Sequence, residues 1–396
     1  MKIIAILESP LSVGGGFNQA LNAVMQMQRL CTGKYDFQVL TISRENVALL
    51  EKYGIRSELF PYSFFDRLLA VMSLNAWWQS VQKRMRFVGG FEKTLIRTGC
   101  DLVYFVSPTE KIAALQTLNA ITTVWDLCHR DVPEFPEVRS FYETHARERF
   151  FQNHLYSSIA IVTDSEALST SLNQRYGIDS ERLLAMPFSP APFESGEKSL
   201  STADVLQKYM LVADYFFYPA QFWPHKNHIR ILEALVQLNV AGVRPRVVFS
   251  GGDQGNRKRI EQFVECNHLG EQVRFLDFVP ATDMPGLYKA CRAVLMPTYF
   301  GPTNLPPLEA WTFDKPLIYS KHFVEQVGDA AILIDPDSAD ELATALVVCS
   351  DAAVCAELAG KGRQRLETIH HNRQASEMRL LAILERFEKR LRCWKE

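Results

Sequence analysis

Short apolar runs alternate with helical segments along most of this chain, in two separate series. In residues 1–190 each run is rich in β-branched or aromatic residues and is followed by turn residues. That pattern predicts parallel strands buried between layers of helices. The predicted strands of the first series are Lys2–Leu7, Phe37–Ile42, Leu102–Phe105, Thr122–Trp125 and Ala160–Thr163.

A second series begins after residues 191–204, which are rich in Pro, Ser, Gly and charge and are predicted to be a linker. Its predicted strands are Tyr215–Tyr218, Arg246–Phe249, Val273–Phe275, Ala293–Met296, Pro316–Tyr319 and Ala331–Ile334. We therefore expect an α/β protein of two doubly wound, Rossmann-like parallel-sheet domains, residues 1–190 and 205–372, facing each other across a cleft.

The last helix is predicted over Arg373–Lys395, within a C-terminal segment of residues 373–396. It is expected to pack on the second domain or to cross back to the first. Its predicted apolar stripe has the three- and four-residue spacing of an amphipathic helix. The members of that stripe are Met378, Leu381, Leu384, Phe387, Leu391 and Trp394.

Composition excludes several classes of protein. The length of 396 residues fits two domains, and a net charge of −2 provides no basic field for nucleic acid. The eight cysteines include no C-x-x-C pair, which argues against zinc or a disulfide framework and fits a reducing compartment. No signal-peptide pattern and no run of about 18 apolar residues is present. We expect a cytoplasmic protein, at most peripheral to the inner face of the membrane.

The stretch Pro297–Trp311 combines a strand end, a glycine and a proline-rich helix start. The amides of Thr303, Asn304 and Leu305 are expected at or just before a helix N-terminus, which attracts anions such as phosphate. Glu309 then either accepts hydrogen bonds from sugar hydroxyls or only complements the helix dipole. Spacing alone does not separate these two interpretations.

Two further loops offer places for phosphate. Gly14, Gly15 and Gly16 follow the first strand and let the backbone approach a ligand closely, although a plain strand-to-helix turn explains them equally well. Lys226 opens a helix after the first strand of the second series, where it can neutralise a diphosphate as a point charge.

The ends of the next two strands in the second series carry weaker signals. Gly252 lies in a Ser-Gly-Gly-Asp turn, and Phe278 follows the next predicted strand. Both positions can bring backbone close to a nucleotide base or phosphate.

Asp126 and His129 follow the fourth predicted strand of the first series. They can orient an acceptor hydroxyl or assist proton transfer. The alternative is an aspartate that caps the next turn and a histidine bonded to backbone, and the sequence leaves both open.

Residues 61–88 combine aromatic side chains with the basic cluster Lys83, Arg84 and Arg86. Such a segment either packs on the sheet as a helix with a solvated end, or lies in a membrane interface or against a lipid acceptor.

Together these motifs resemble the family 4 glycosyltransferases, retaining enzymes of the GT-B fold. The resemblance covers nearly the whole chain and is densest over residues 215–345. It implies that Gly14–Gly16 face the donor sugar and phosphates, that Lys226 and the amides of residues 303–305 bind the diphosphate, and that Glu309 bonds the donor ribose.

Three positions depart from that family's pattern. Gly301 replaces a sugar-binding glutamate eight residues before Glu309, and Gln221 replaces an arginine five residues before Lys226. Trp125 replaces the histidine of a His-Asp pair, so any catalytic role there passes to Asp126 or His129. We interpret the motif F-G-P-T-N-L-P-P-L-E-A as that of a subgroup with altered sugar recognition.

The resemblance implies transfer of a sugar from a UDP-, GDP- or dTDP-linked donor to a glycan or lipid-linked acceptor in bacterial surface polysaccharide assembly. No cofactor is expected, and no metal ion is expected on the premise that the sequence has no Asp-x-Asp motif. Two alternatives remain at this stage. One is a degenerate subunit that supports a partner transferase, and the other is a GT-B epimerase or phosphorylase.

Overall fold

The computed structural model describes residues 1–10, 14–60, 62–139, 141–191 and 200–394. The chain divides into two compact units. Unit one consists of Met1–Pro133, Val138–Ala191 and His371–Glu396, and unit two of Glu134–Glu137 and Pro192–His370.

Unit one is built on a seven-stranded parallel sheet in the order β3-β2-β1-β4-β5-β6-β7. Ile3 lies in an interior strand and pairs with Phe37 on one side and Leu102 on the other. The strands are β1 Lys2–Leu7, β2 Asp36–Thr41, β3 Ser57–Leu59, β4 Leu102–Phe105, β5 Asn119–Thr123, β6 Ala160–Thr163 and β7 Leu183–Ala185.

Helices cover both faces of this sheet, so each face has its own apolar core. Local capping explains where several begin: Ser165 accepts a hydrogen bond from the Leu168 N–H, as the N-cap of α8. The helices are α1 Gly15–Cys31, α2 Arg44–Lys52, α3 Phe64–Ser73, α4 Ala76–Met85, α5 Gly90–Arg97, α6 Cys128–Asp131, α7 Phe141–Asn153 and α8 Glu166–Tyr176.

Unit two has a six-stranded parallel sheet in the order β10-β9-β8-β11-β12-β13. Strand order reverses between β8 and β11, which lie side by side. The strands are β8 Phe216–Pro219, β9 Val247–Ser250, β10 Val273–Leu276, β11 Ala293–Met296, β12 Leu317–Ser320 and β13 Ile332–Ile334. Ligands of such sheets bind beyond the carboxyl ends of the strands at the point of reversal.

The helices that cover this second sheet alternate with its strands, apart from a last helix much longer than the others. They are α9 Thr202–Lys208, α10 His228–Val240, α11 Arg257–Cys266, α12 Met284–Ala290, α13 Leu305–Thr312, α14 Val324–Val327, α15 Ala339–Val348 and α16 Ala352–Leu391.

Helix α16 differs from the sequence prediction in its start and in its buried face. It begins at Ala352 rather than near residue 373, and it runs for 40 residues. From His371 onward it belongs to unit one. Met378 and Trp394 of the predicted stripe are exposed. Leu384, Phe387 and Leu391 of that stripe are buried as predicted, and Leu380 and Ile383 complete the buried face.

Most strand predictions agree with the structure to within one or two residues, but β5 does not, and neither β3 nor β7 was among the predicted strands. β5 occupies residues 119–123, so Val124 and Trp125 of the predicted strand lie beyond its end. β3 was not predicted at all, because Ser57–Leu59 is a short and largely exposed strand at the edge of the sheet. In the predicted linker, residues 192–199 lie outside the described residues, and Thr202 already starts α9.

None of the described helices is, by itself, long and apolar enough to cross a bilayer. The pair α15 and α16, bent by 100° at the break between them, meets that test only jointly and only by length and composition.

Gly362 allows α16 to pack against α13. A Cβ atom at residue 362 would lie 2.2 Å from Cδ1 of Trp311, which is buried and has no room to move. Gly362→Ala should therefore lower the free energy of unfolding by about 1–3 kcal/mol, measured by urea denaturation.

Gly360 in the same helix provides the matched control. A Cβ atom there would approach only the end of the Arg363 side chain, at 3.9 Å. Because alanine is the better helix former, Gly360→Ala should raise the free energy of unfolding by about 0.5–1 kcal/mol. Equal effects of the two substitutions would contradict the packing argument.

Candidate functional site

Two loops meet at the point of strand reversal in unit two. The loop after β8 reaches Lys226, and the loop after β11 covers residues 297–304. The carbonyl oxygen of His225 accepts hydrogen bonds from the Tyr299 N–H (3.0 Å) and the Thr298 hydroxyl (3.2 Å). These bonds hold the two loops together and fix the backbone on which Lys226 stands.

Lys226 ends a 3₁₀ turn, Pro224–Lys226, and its amino group donates to Oδ1 of Asn304 at 3.1 Å. Its side chain is partly exposed, and among the described residues no carboxylate lies within 4.0 Å of its nitrogen. Burial lowers the pKa of Lys226 to about 8, while the negative charge of Glu137 acts in the opposite direction. The positive charge of Lys226 is thus hydrogen-bonded to a neutral amide rather than paired with a carboxylate among the described residues. A cation in this position can attract an anionic ligand.

A hydrogen-bond network fixes the orientation of the Asn304 side chain. Its Nδ2 donates to the Tyr319 hydroxyl (2.7 Å), and that hydroxyl donates to Oε1 of Gln326 (2.8 Å). Gln326 also spans the Asn304 backbone, accepting from its N–H (3.2 Å) and donating to its carbonyl oxygen (2.8 Å). Oδ1 of Asn304 is therefore the atom turned toward Lys226.

The start of α13 offers fewer amides than the sequence predicts. Asn304 is its N-cap, and the Asn304 amide is engaged by Gln326 rather than turned to an anion. Pro306 and Pro307 have no N–H. Thr303 and Leu305 flank Asn304 at this start, so the phosphate site expected here depends more on Lys226 than on helix amides.

Gly301 lies directly beside Lys226. Its φ of 140° is in the range that favours glycine, and a Cβ atom there would be 3.9 Å from Nζ of Lys226 and 3.8 Å from Oδ1 of Asn304. A glutamate at this position would strain the backbone. The carboxylate expected at residue 301 is thus absent at a position whose backbone conformation disfavours any side chain.

Glu309 lies one turn into α13 and is buried. The hydroxyl of Tyr288, a fully buried residue of α12, donates to Oε2 of Glu309. Burial together with the Glu309 charge raises the pKa of Tyr288 well above its usual value. Glu309 is therefore a positioned, buried carboxylate and does more than complement the helix dipole.

The other residues predicted to bind the nucleotide-sugar donor in unit two follow β8, β9 and β10 at the same edge of the sheet. Gly252 follows β9, and its carbonyl oxygen accepts from the Phe222 N–H (3.1 Å). Phe278 follows β10 and is 57% exposed. Gln221 follows β8, and its Oε1 accepts from Nε1 of Trp223 at 3.0 Å. Only Gly301 and Asn304 of the predicted residues lie within contact distance of Lys226 in the contacts described.

In unit one, Gly14 is the N-cap of α1, with a φ of 71° that favours glycine. The helix begins at Gly15, followed by Gly16, and it has neither a side-chain cap nor an acidic residue in its first turn. This loop follows β1, where the strand order of unit one reverses. Ser12 and Val13 of the same predicted loop lie outside the described residues.

Asp126 and His129 each have their own partner. Asp126 accepts from the Cys128 N–H (3.0 Å) and from Nη2 of Arg147 (2.7 Å). Burial would raise the pKa of Asp126, but the Arg147 charge prevails and the pKa lies below its usual value. Nε2 of His129 lies 3.1 Å from Oε2 of Glu148. The hydrogen bond from the Cys128 N–H thus agrees with the alternative interpretation, in which Asp126 caps the next turn.

Burial lowers the pKa of His129, and the ring is stacked on Phe151 with centroids 5.1 Å apart. The histidine bonds a carboxylate rather than backbone through Nε2. A role for either residue in handling an acceptor hydroxyl stays a prediction.

The sequence did not predict three residues near Lys226 as part of the site, namely Glu137, His225 and Phe300. Glu137, in the segment 134–137 of unit two, accepts from the backbone N–H of His225 (3.0 Å) and pairs with its Nδ1 (2.5 Å). The Phe300 ring stacks on the His225 ring at 4.2 Å. The only local signal was the stiff sequence Pro133-Glu-Phe-Pro-Glu137, and its partner lies 88 residues away.

An Asp-x-Asp triplet is present at Asp335–Asp337, contrary to the premise on which no metal was expected. Paired carboxylates can hold a divalent cation. Here Asp335 pairs with Lys321 and also accepts from the Asp337 N–H (2.9 Å), and Asp337 accepts from the Tyr299 hydroxyl (2.6 Å). Both carboxylates thus have protein partners.

Comparison with known proteins finds a family model that matches part of unit two. Residues 213–349, which contain the Lys226 site, match the model of the glycosyl transferases group 1. The chain is 27% identical over 229 residues to the O-antigen chain mannosyltransferase B of Escherichia coli, covering 57% of this chain and 59% of that protein. It is 24% identical over 209 residues to the O-antigen chain mannosyltransferase RfbU of Salmonella typhimurium, covering 51% and 55%. The chain thus spans less than two thirds of these relatives.

Solved structures match over nearly the full length. Sucrose-phosphate synthase from Thermosynechococcus elongatus superposes with a TM-score of 0.72 at 15% identity, over 98% of this chain and 100% of that one. HepE from Anabaena, in complex with UDP-glucose, superposes with a TM-score of 0.70 at 17% identity, over 96% and 100%. The fold is GT-B. The doubly wound architecture predicted from the sequence is confirmed by the two parallel sheets.

Proposed function

We propose that this protein is a retaining glycosyltransferase that moves a sugar from a nucleotide-diphosphate donor to a hydroxyl group of a glycan or lipid-linked acceptor. The observation that carries the proposal is the Lys226 site: a partly buried cation, bonded to a neutral amide, at the strand reversal of unit two. The matched segment and the O-antigen mannosyltransferases among its relatives support this chemistry and a setting in bacterial surface polysaccharide assembly.

The reaction breaks the bond between the sugar C1 and the β-phosphate oxygen, and forms a bond from C1 to the acceptor oxygen on the same face. The acceptor proton goes to an oxygen of the departing diphosphate. Lys226 stabilises the charge that develops on that diphosphate. The reaction is proposed to need no cofactor and no metal ion, which unchanged activity in EDTA would support.

The remaining donor contacts of the proposal follow the strand ends. Glu309 is proposed to bond the donor ribose, and Phe278 and Gly252 to lie along the nucleotide. The donor sugar is proposed to lie beside Lys226 at Gly301, which has no side chain. Binding of the donor by Gly14–Gly16 and of the acceptor near Asp126 and His129 is also part of the proposal.

A surface of unit one is proposed to contact the membrane that carries a lipid-linked acceptor. Phe64 and Phe65 at the start of α3 are 74% and 78% exposed, and Trp77 in α4 is 70% exposed. The basic residues Lys83–Arg86 at the end of α4 include three exposed cationic side chains. We name this the aromatic surface, defined by Phe64, Phe65 and Trp77.

The aromatic surface is one face of helices that pack through their other face. Leu69 and Leu74 are buried in unit one, whereas the three aromatic side chains face solvent. Aromatic side chains beside basic ones fit an interface with anionic lipid, where the rings enter the headgroup region and the cations meet lipid charge.

A second candidate function is a degenerate subunit that binds a nucleotide and supports a partner transferase. The absence of a side chain at Gly301 favours it, since the expected sugar-binding carboxylate is missing there. A purified protein that binds nucleotide sugars but transfers nothing, while stabilising a co-expressed transferase, would select this candidate. Interconversion of free nucleotide sugars without an acceptor would instead indicate an epimerase.

A thermal-shift screen of UDP-, GDP- and dTDP-linked sugars tests the donor site. A donor present at about 100 times its dissociation constant should add about 2.7 kcal/mol to the free energy of unfolding. The nucleotide that stabilises the protein identifies the base. No shift with any member of the series would remove the donor-site proposal.

Substitution of Lys226 tests its charge. Lys226→Ala should reduce turnover at least about tenfold, because a positioned charge-assisted hydrogen bond contributes about 1.5–3 kcal/mol. In the wild type, affinity for the nucleoside diphosphate should be nearly constant between pH 7 and about 8, above the ionisation of its terminal phosphate near pH 6. Above the pKa of about 8 the free lysine loses its proton, so affinity should then fall.

Lys226→Arg is the control for this titration. Arginine keeps its charge throughout, so its diphosphate affinity, measured by calorimetry between pH 7 and 9, should not change with pH. An identical pH profile in the wild type and the arginine variant would mean that another group titrates. Unchanged turnover in Lys226→Ala would take the lysine out of the reaction.

Vesicle binding tests the aromatic surface. The combined variant Phe64→Ser, Phe65→Ser and Trp77→Ser should bind vesicles of anionic phosphatidylglycerol at least about tenfold more weakly than the wild type in co-sedimentation. Phe278→Ser, which removes an exposed aromatic ring from unit two, should bind as the wild type does. Equal binding by all three proteins would exclude the aromatic surface as the membrane contact.

A further inference from the structure

Glu137 is held in place by the loop after β8. One of its oxygens, Oε1, receives both the backbone N–H of His225 at 3.0 Å and the ring Nδ1 at 2.5 Å. The neighbouring Phe135 packs between the rings of Tyr299 and Phe300, at centroid distances of 5.3 and 5.1 Å. The carboxylate therefore belongs structurally to the same loops that carry Lys226 and Gly301.

The second carboxylate oxygen of Glu137, Oε2, has no such hydrogen-bond partner among the described residues. The side chain is only 10% exposed, and Oε2 is fully buried without a hydrogen-bond partner among the described residues. Leaving a buried carboxylate oxygen unpaired is costly, because its hydration is lost without replacement. Such an oxygen is completed by a donor that arrives from outside, such as a hydroxyl group of a ligand.

The state of this carboxylate suits an acceptor of hydrogen bonds. Burial would raise the pKa of Glu137, but its bonds to His225 prevail and the pKa lies below its usual value. The group is therefore ionised near neutral pH, when a carboxylate accepts hydrogen bonds and cannot donate them.

Glu137 is connected to Gly301 through the side chains of His225 and Phe300. His225 directly precedes Lys226, and its ring stacks on Phe300, which directly precedes Gly301. The charge of Glu137 acts on Lys226, whose nitrogen lies 3.9 Å from the Cβ position of residue 301. A carboxylate is missing at residue 301, and an ionised carboxylate with one free oxygen lies in the same group of loops.

We propose that Glu137, held by His225, determines donor specificity by accepting a hydrogen bond from a hydroxyl group of the donor sugar through Oε2. The ligand class is a nucleotide-linked pyranose, and the carboxylate supplies in this chain what residue 301 does not. This inference rests on the proposed donor site and adds to it a residue outside the matched family segment.

The decisive variant is Glu137→Gln. Its amide oxygen can accept the two His225 bonds, which places an NH₂ donor where Oε2 was. Calorimetry at pH 6.5, where Lys226 stays charged in both proteins, should then show that the preference for the nucleotide sugar over the bare nucleoside diphosphate falls at least about tenfold, while diphosphate affinity does not fall. Glu134→Gln, an exposed residue of the same segment, should retain the wild-type preference. An unchanged preference in Glu137→Gln overturns the proposal.

A series of donors, each lacking one sugar hydroxyl, provides a second measurement that does not depend on the variant folding. One member should bind the wild type about tenfold more weakly than the parent sugar, and should show no such loss against Glu137→Gln. If every deoxy donor binds the wild type as tightly as the parent, no hydroxyl is read and the proposal fails. A wild type that binds no nucleotide sugar would instead refute the proposed function itself.

Discussion

Parallel pairing of strands is the constraint on which the rest of this structure depends. Each parallel strand must be followed by a crossover, and helices then bury both faces of the sheet. All strands of a sheet end at the same edge, so loops from distant parts of the sequence are brought together there. In unit two the reversal of order between β8 and β11 sets the loop of Lys226 beside the loop of Gly301. The topology of the sheet therefore brings these loops together, and their side chains then determine the chemistry of the site.

The hydrogen-bond partner of Lys226 determines the electrostatics of this site. A carboxylate beside the lysine would neutralise it and would have to be displaced by an incoming diphosphate. Asn304 offers one neutral oxygen, and its amide is fixed by Tyr319 and Gln326. Burial lowers the pKa of Lys226 to about 8, so keeping this lysine charged costs stability at neutral pH. Under the proposed function, a bound diphosphate offsets that cost.

The sequence predicted best what depends on local pattern. β11 was predicted to the residue because a fully buried strand is a continuous apolar run, whereas β3, exposed at the edge, has no such signature. The helix start at Asn304 was predicted from its prolines, yet its amide is engaged by Gln326, 22 residues away. The pairing of Glu137 with His225 spans 88 residues and no periodicity encodes it. Contacts of this kind are set by the tertiary fold alone.

The final helix has a consequence for how this protein emerges from the ribosome. Residues 380–391 of α16 place five apolar side chains in the core of unit one, and Glu377 pairs with Gln26 and Arg29 of α1. The other buried members of that core lie within residues 3–186. Unit one therefore leaves the ribosome with an uncovered apolar face, which stays uncovered while residues 192–370 of unit two are translated. An N-terminal unit that is finished before the next one is made is thus not available to this chain. Unit one is completed by a helix that follows unit two.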